Sequence, residues 1–227
     1  FAGQSGLARF DGNSYRIYQH APSRKEGLAN DFVTSLLVDS EGQLWIGTRG
    51  GLHRYDSASD TFSRPLDGIP LLTKEFVENL YEDSQGQIWV ATSSSTLLRF
   101  SPKKLEGLAS DTFYPELINI AHDLKNAELD TYTVLEDTAF MWFGSENGLV
   151  RYEKLTREIK RFEHEPGQER SLSHSYIRAL YKDIHGNIWV GTKQGLNRYN
   201  EKTHSFKRYA LSLRGEGSID SGIIRSI

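Results

Sequence analysis

Four tryptophans set the strongest constraint on this chain. Trp45, Trp89, Trp142 and Trp189 are separated by 44, 53 and 47 residues, a spacing of about 48 that marks an internal repeat. Around each the sequence says nearly the same thing: Asp39-Ser-Glu-Gly-Gln-Leu-Trp45-Ile-Gly-Thr48, Asp83-Ser-Gln-Gly-Gln-Ile-Trp89-Val-Ala-Thr92 and Asp183-Ile-His-Gly-Asn-Ile-Trp189-Val-Gly-Thr192. The copy from Asp137 to Trp142-Phe-Gly-Ser145 has lost one residue and its glycine. A second block follows each tryptophan: Gly51-Leu-His-Arg54-Tyr55, Leu98-Arg99-Phe100, Gly148-Leu-Val-Arg151-Tyr152 and Gly195-Leu-Asn-Arg198-Tyr199, with a further copy, Gly6-Leu-Ala-Arg9-Phe10, opening the chain.

Within a period, short apolar segments alternate with turn residues, which reads as strands. The second repeat predicts strands at Val33–Val38, Gln43–Thr48, Gly51–Tyr55 and Phe62–Arg64. Asp-x-x-Gly suits the first hairpin, because aspartate bonds its own downstream backbone and glycine tolerates positive φ. Four strands per period of 40–50 residues is the pattern of a propeller blade. The expected fold is therefore all-β: a β-propeller of four-stranded antiparallel blades, about five of them, over 1–227 as a single segment with incomplete first and last blades. A closed ring of five and an arc of a seven-blade ring both stay open. One insertion, Leu105–Leu129, is expected to include a short helix, from the spacing of Leu117, Ile120, Ala121 and Leu124.

Composition removes several function classes. A net charge of −3 with interspersed signs supplies no basic field, so no nucleic-acid partner is expected. The longest apolar run, Ala139 to Phe143, is far below the ~20 residues of a membrane span, so membrane attachment is expected only through a span outside this segment. Absence of cysteine excludes disulfides and thiolate chemistry. The start at Phe1 without methionine is read as a piece cut from a longer protein.

These blocks closely resemble the two-component regulator propeller repeat, and the likeness extends to the linkers His20-Ala-Pro22 through Asn30 and His164-Glu-Pro166 through His174. The resemblance implies the periplasmic or otherwise extracytoplasmic sensor region of a bacterial inner-membrane signalling protein, with a histidine kinase or diguanylate cyclase elsewhere in the parent. It implies a non-catalytic segment without cofactor that meets a small-molecule ligand, often a carbohydrate fragment, and other domains of the parent. A homodimerising interaction platform and a propeller lyase or hydrolase are the alternatives.

Recurrence separates structure from function. Residues repeated in each copy serve the blade: Asp39, Asp83, Asp137 and Asp183, the tryptophans, and Arg54, Arg99, Arg151 and Arg198, expected to pair with a neighbouring strand or blade. His20 and His164 match one another and are assigned to turns, not metal. No catalytic or metal residue is assigned. Candidate ligand contacts are non-recurring polar residues: Arg49, Glu146 and Lys193 from turns; Arg170 and His174, with Arg24 and Lys25, from linkers; and Glu78, Tyr132 and Arg178, with Thr34 and Arg225, from the first strands.

Overall fold

The structure, a computed structural model, describes residues 1–21, 26–65, 76–94, 96–102, 115–119, 131–209, 224 and 226. Among the described residues it holds 19 strands in five antiparallel sheets. The first sheet is β1 (Ala2–Gly3), β2 (Gly6–Phe10) and β3 (Tyr15–Tyr18). The second is β4 (Val33–Val38), β5 (Leu44–Thr48), β6 (Gly51–Asp56) and β7 (Thr61–Ser63). The third is β8 (Val77–Glu82), β9 (Ile88–Thr92), β10 (Thr96–Phe100) and β11 (Glu116–Asn119). The fourth is β12 (Thr131–Glu136), β13 (Phe140–Ser145), β14 (Gly148–Glu153) and β15 (Ile159–Phe162). The fifth is β16 (Ile177–Lys182), β17 (Ile188–Thr192), β18 (Gly195–Asn200) and β19 (Ser205–Tyr209). Each runs in sequence order as an up-and-down meander. The first three sheets lie in one compact unit, Phe1–His122, and the last two in a second, Asp123–Ile227.

The expected helix meets a correction: Leu117 stands in β11, paired residue for residue with β10. Pairing supplies an outer strand to the third sheet, and that overrides the helical spacing. Ile120, Ala121 and Leu124 fall outside the described residues, as do Arg24, Lys25 and Arg225.

The Asp-x-x-Gly turns show why aspartate opens each hairpin. Asp39 Oδ1 accepts the backbone N–H of Glu41 and Gln43 at 3.1 and 2.8 Å, and Oδ2 accepts the Trp45 indole N–H at 2.8 Å. Asp83 and Trp89, and Asp183 and Trp189, repeat this at 2.7 and 2.9 Å. One carboxylate thus satisfies a turn and a large apolar side chain whose N–H would otherwise be buried unpaired. At the other end of the second strand, the hydroxyls of Thr48, Thr92, Ser145 and Thr192 donate to the carbonyls of Gly51, Thr96, Gly148 and Gly195 at 2.9–3.1 Å, closing the second hairpin.

Two pairs of neighbouring sheets, the second with the third and the fourth with the fifth, pack through the same device. A Cβ on Gly47 would lie 2.6 Å from Val77 Cγ1, and one on Gly144 would lie 2.6 Å from Ile177 Cγ2. The first apolar residue of the following sheet presses onto glycine backbone, so glycine is required there for space. Between the second and third sheets Trp45, Leu52, Leu80, Val90 and Phe100 form a core; between the fourth and fifth, Trp142, Leu149, Phe162, Val190, Tyr199 and Phe206 do so. Arginine crosses as expected: Arg151 Nη1 donates to Tyr199 Oη of the next sheet at 2.9 Å, and Arg9 to Tyr55 Oη. Arg99 instead pairs with Glu116 on the adjacent strand.

Linkers are anchored by their histidines. The Nδ1–H of His20 donates to the Leu28 carbonyl at 2.8 Å and that of His164 to Leu172 at 2.7 Å, and both leucines are fully buried. The backbone N–H of Ala29 donates to His53 Nε2, and that of Ser173 to Asn197 Oδ1, both at 2.9 Å.

Candidate functional site

A feature of strand pairing places the candidate residues. In each four-stranded sheet the register of the first strand slips by one residue: between Val33 and Ser35, Val77 and Asn79, Thr131 and Thr133, and Ile177 and Ala179. The extra residue is Thr34, Glu78, Tyr132 or Arg178. These positions are β-bulges, where a side chain leaves the regular alternation and is re-aimed. They differ in every sheet although the backbone device recurs.

In the second unit two of them meet. The Tyr132 and Tyr176 rings stack with centroids 5.4 Å apart and planes 20° apart. Exposed Arg178 sets its guanidinium carbon 4.9 and 4.6 Å from those two centroids. Lys193, on the β17–β18 turn, brings Nζ to 3.8 Å from the Tyr176 centroid, and its backbone N–H donates to the Tyr176 carbonyl at 3.1 Å. His174 completes the group, its Nδ1 accepting the Tyr176 backbone N–H at 2.8 Å. That role needs a neutral ring. Burial, then the Lys193 ammonium and His164, hold His174 below the ordinary histidine value.

The result is an aromatic pair edged by two cations. Neither Arg178 nor Lys193 has an ion-pair partner among the described residues, so both keep hydrogen-bonding capacity for an incoming group. Cation–π contacts of this kind contribute about 0.5–2 kcal/mol and orient a planar guanidinium, which suits recognition of flat or ring-shaped ligands bearing acceptor oxygens.

The other candidates stand apart. Arg170 is exposed on the linker and Glu146 half-buried on the β13–β14 turn; neither has a described contact with the cluster. Arg49 and Glu78 belong to the first unit. Arg49 covers the Phe32 ring at 3.8 Å, as Lys193 covers Tyr176, and Thr34 Oγ1 donates to the Val77 carbonyl. Tyr176 was not among the residues singled out from sequence, yet it had a signal: the position before the first strand is aromatic three times, as Phe32, Phe76 and Tyr176.

The two component regulator propeller family model matches residues 27–50, 71–94 and 171–194, the segments from linker through second strand in three repeats. No curated protein sequence matches the chain. Among solved structures, an extracellular domain assigned to a one component system of B. thetaiotaomicron aligns over 92% of this chain and 25% of its own, with TM-score 0.69 and 21% identity. One assigned to a hybrid two component system of the same organism aligns over 93% and 28%, with TM-score 0.68 and 24% identity. PorZ, a surface component of the type-IX secretion system of Porphyromonas gingivalis, aligns over 91% and 31%, with TM-score 0.61 and 16% identity. The fold is thus that of propeller domains, and the chain spans a quarter to a third of the length of these structures.

Proposed function

Three repeats of this chain match the two component regulator propeller family model, and on that premise we propose that it is a non-catalytic ligand-sensing region of a membrane-bound bacterial signalling protein. The observation that carries the reading is the Tyr132–Tyr176 pair with Arg178 and Lys193. Two of these residues stand at bulge positions where the repeat requires nothing of the side chain. An extracytoplasmic location is supported by the extracellular domains with which the fold aligns.

The ligand class that fits is a small ring with acceptor oxygens, carbohydrate fragments among them: a ring face lies on tyrosine, and oxygens take N–H donors from arginine and lysine. Binding would be passed on as a shift between domain arrangements of the parent. Thermal unfolding against a panel of mono- and oligosaccharides tests this. A ligand at 100 times its Kd adds about 2.7 kcal/mol, and Arg178→Ala or Lys193→Ala should abolish the shift while leaving the unliganded Tm in place. A saccharide shift unchanged in both variants would remove the platform from the reading.

A second reading, an interaction platform, is favoured by the first sheet. Phe10, Tyr15 and Ile17 lie exposed with Phe1, which is 77% exposed, and Phe10 packs on Tyr15 at 4.8 Å. Concentration-dependent light scattering separates this reading from the first.

A further inference from the structure

The fourth sheet breaks the carboxylate–indole pattern. Five positions separate Asp137 from Trp142 where six separate the other pairs. Its shortened turn keeps the carboxylate from the indole: Asp137 accepts the backbone N–H of Thr138 at 2.7 Å and the Lys182 ammonium of the fifth sheet. Trp142 is 1% exposed and its Nε1–H has no hydrogen-bond partner among the described residues. An N–H left unpaired in a protein interior costs about 1–3 kcal/mol, so the group asks for an explanation.

The same indole walls a cleft of about 480 Å³ within the second unit, inside the ~300–1,000 Å³ range of small-molecule sites. Phe140 and Tyr199 give it aromatic surface, and Arg198, Lys202 and Lys207 give it cations. None of the three cations has an ion-pair partner among the described residues. Of the acids lining it, Asp137 is already neutralised by Lys182, which leaves Glu201 against three positive charges. Between the second and third sheets the cleft beside Asp39 is about 270 Å³ and lined by Glu41 and Glu82, and the Trp45 N–H is held by Asp39. Size, charge and a free donor thus change together in the fourth sheet.

We propose that this cleft binds a small carboxylate with an apolar or aromatic body, its carboxylate accepting the Trp142 N–H among the cations and its body lying on Phe140 and Tyr199. The site is separate from the Tyr132–Tyr176 platform and stands whether or not that platform binds a ligand.

Nuclear magnetic resonance of the 15N-labelled chain tests it, since four tryptophans give four indole N–H signals and Trp142→Phe identifies the one concerned. Sodium benzoate should move the Trp142 signal saturably downfield and leave the other three in place. Benzamide, of the same shape without charge, should bind at least about tenfold more weakly. Lys202→Gln/Lys207→Gln, at two exposed positions outside the core, keeps all four indoles and should weaken benzoate several-fold. If Trp142→Phe fails to fold, Trp45→Phe, Trp89→Phe and Trp189→Phe identify the other three signals and leave that of Trp142 by elimination. A Trp142 signal that does not saturate, benzamide binding as tightly as benzoate, or a double variant that binds as well as the parent would each overturn the proposal.

Discussion

The β16–β17 and β12–β13 turns occupy the same place in adjacent sheets of one unit and spend their aspartate differently. Asp183 serves its own turn and its own tryptophan: Oδ1 takes the N–H of His185 and Asn187, Oδ2 the Trp189 indole. These bonds, the indole's first, hold its carboxyl well below the usual carboxylate range. Asp137, with one residue fewer, reaches neither a second turn amide nor its tryptophan, and pairs across to Lys182. Yet Trp142 is as deeply buried as Trp45, packed edge-on against Tyr199 at 4.8 Å and stacked with Phe162 at 6.2 Å. The difference teaches that the repeat keeps tryptophan for its area. Its N–H is a local obligation that the turn discharges in three sheets and leaves open in one.

If area is what counts, Trp142→Ala and Trp45→Ala should destabilise alike, by about 3–5 kcal/mol each, in urea unfolding of the unit concerned. A Trp142→Ala cost well below that of Trp45→Ala would return the weight to the hydrogen bond.

The second and fifth sheets allow a matching contrast at the residue that holds the linker, His53 in one and Asn197 in the other. His53 is pushed down to about 4 from 6.5, by burial first and Arg64 second, and its Nε2 must stay an acceptor for Ala29. An unfolded chain takes up this proton below 6.5 while the folded chain resists it down to about 4. The contribution is therefore whole above pH 6.5 and lost as pH falls through that window, on the order of 3 kcal/mol in full. His53→Asn, borrowing the residue of the fifth sheet, should flatten the acid limb of stability against pH. An unchanged limb would show that other groups carry it.

Glycine under the next sheet should be insensitive to the turn difference. Gly47→Ala and Gly144→Ala are each expected to cost about 1–3 kcal/mol through overpacking against Val77 and Ile177. A tolerant Gly144 would mean that the fourth sheet departs from the pattern beyond its turn.

Much of this was legible in the residues. The strand predicted at Val33–Val38 is β4, and the predicted Gly51–Tyr55 runs one residue further, as β6. Asp39 and Gly42 were readable as a hairpin because each residue's own chemistry demands the turn. The bulges were not readable: a register slip is a property of two paired strands, and Thr34, Glu78, Tyr132 and Arg178 share no side-chain signature. Their inner-strand positions singled them out, but the stacking of Arg178 on Tyr176 depends on that slip. The orphaned Trp142 N–H was equally hidden, since a one-residue deletion shows in sequence while the length an aspartate must reach does not. Leu117 misled because apolar spacing is blind to an available sheet edge.

The most direct test of the account pairs Asp183→Ala with Asp137→Ala, two identical changes at matching turns of one unit, read by urea unfolding. Asp183→Ala, which strips a turn and an indole of their acceptor, should clearly lower the midpoint, whereas Asp137→Ala, which loses only a partly exposed ion pair of small worth, should leave it close to that of the parent. Equal losses, or a larger one for Asp137→Ala, would contradict the account.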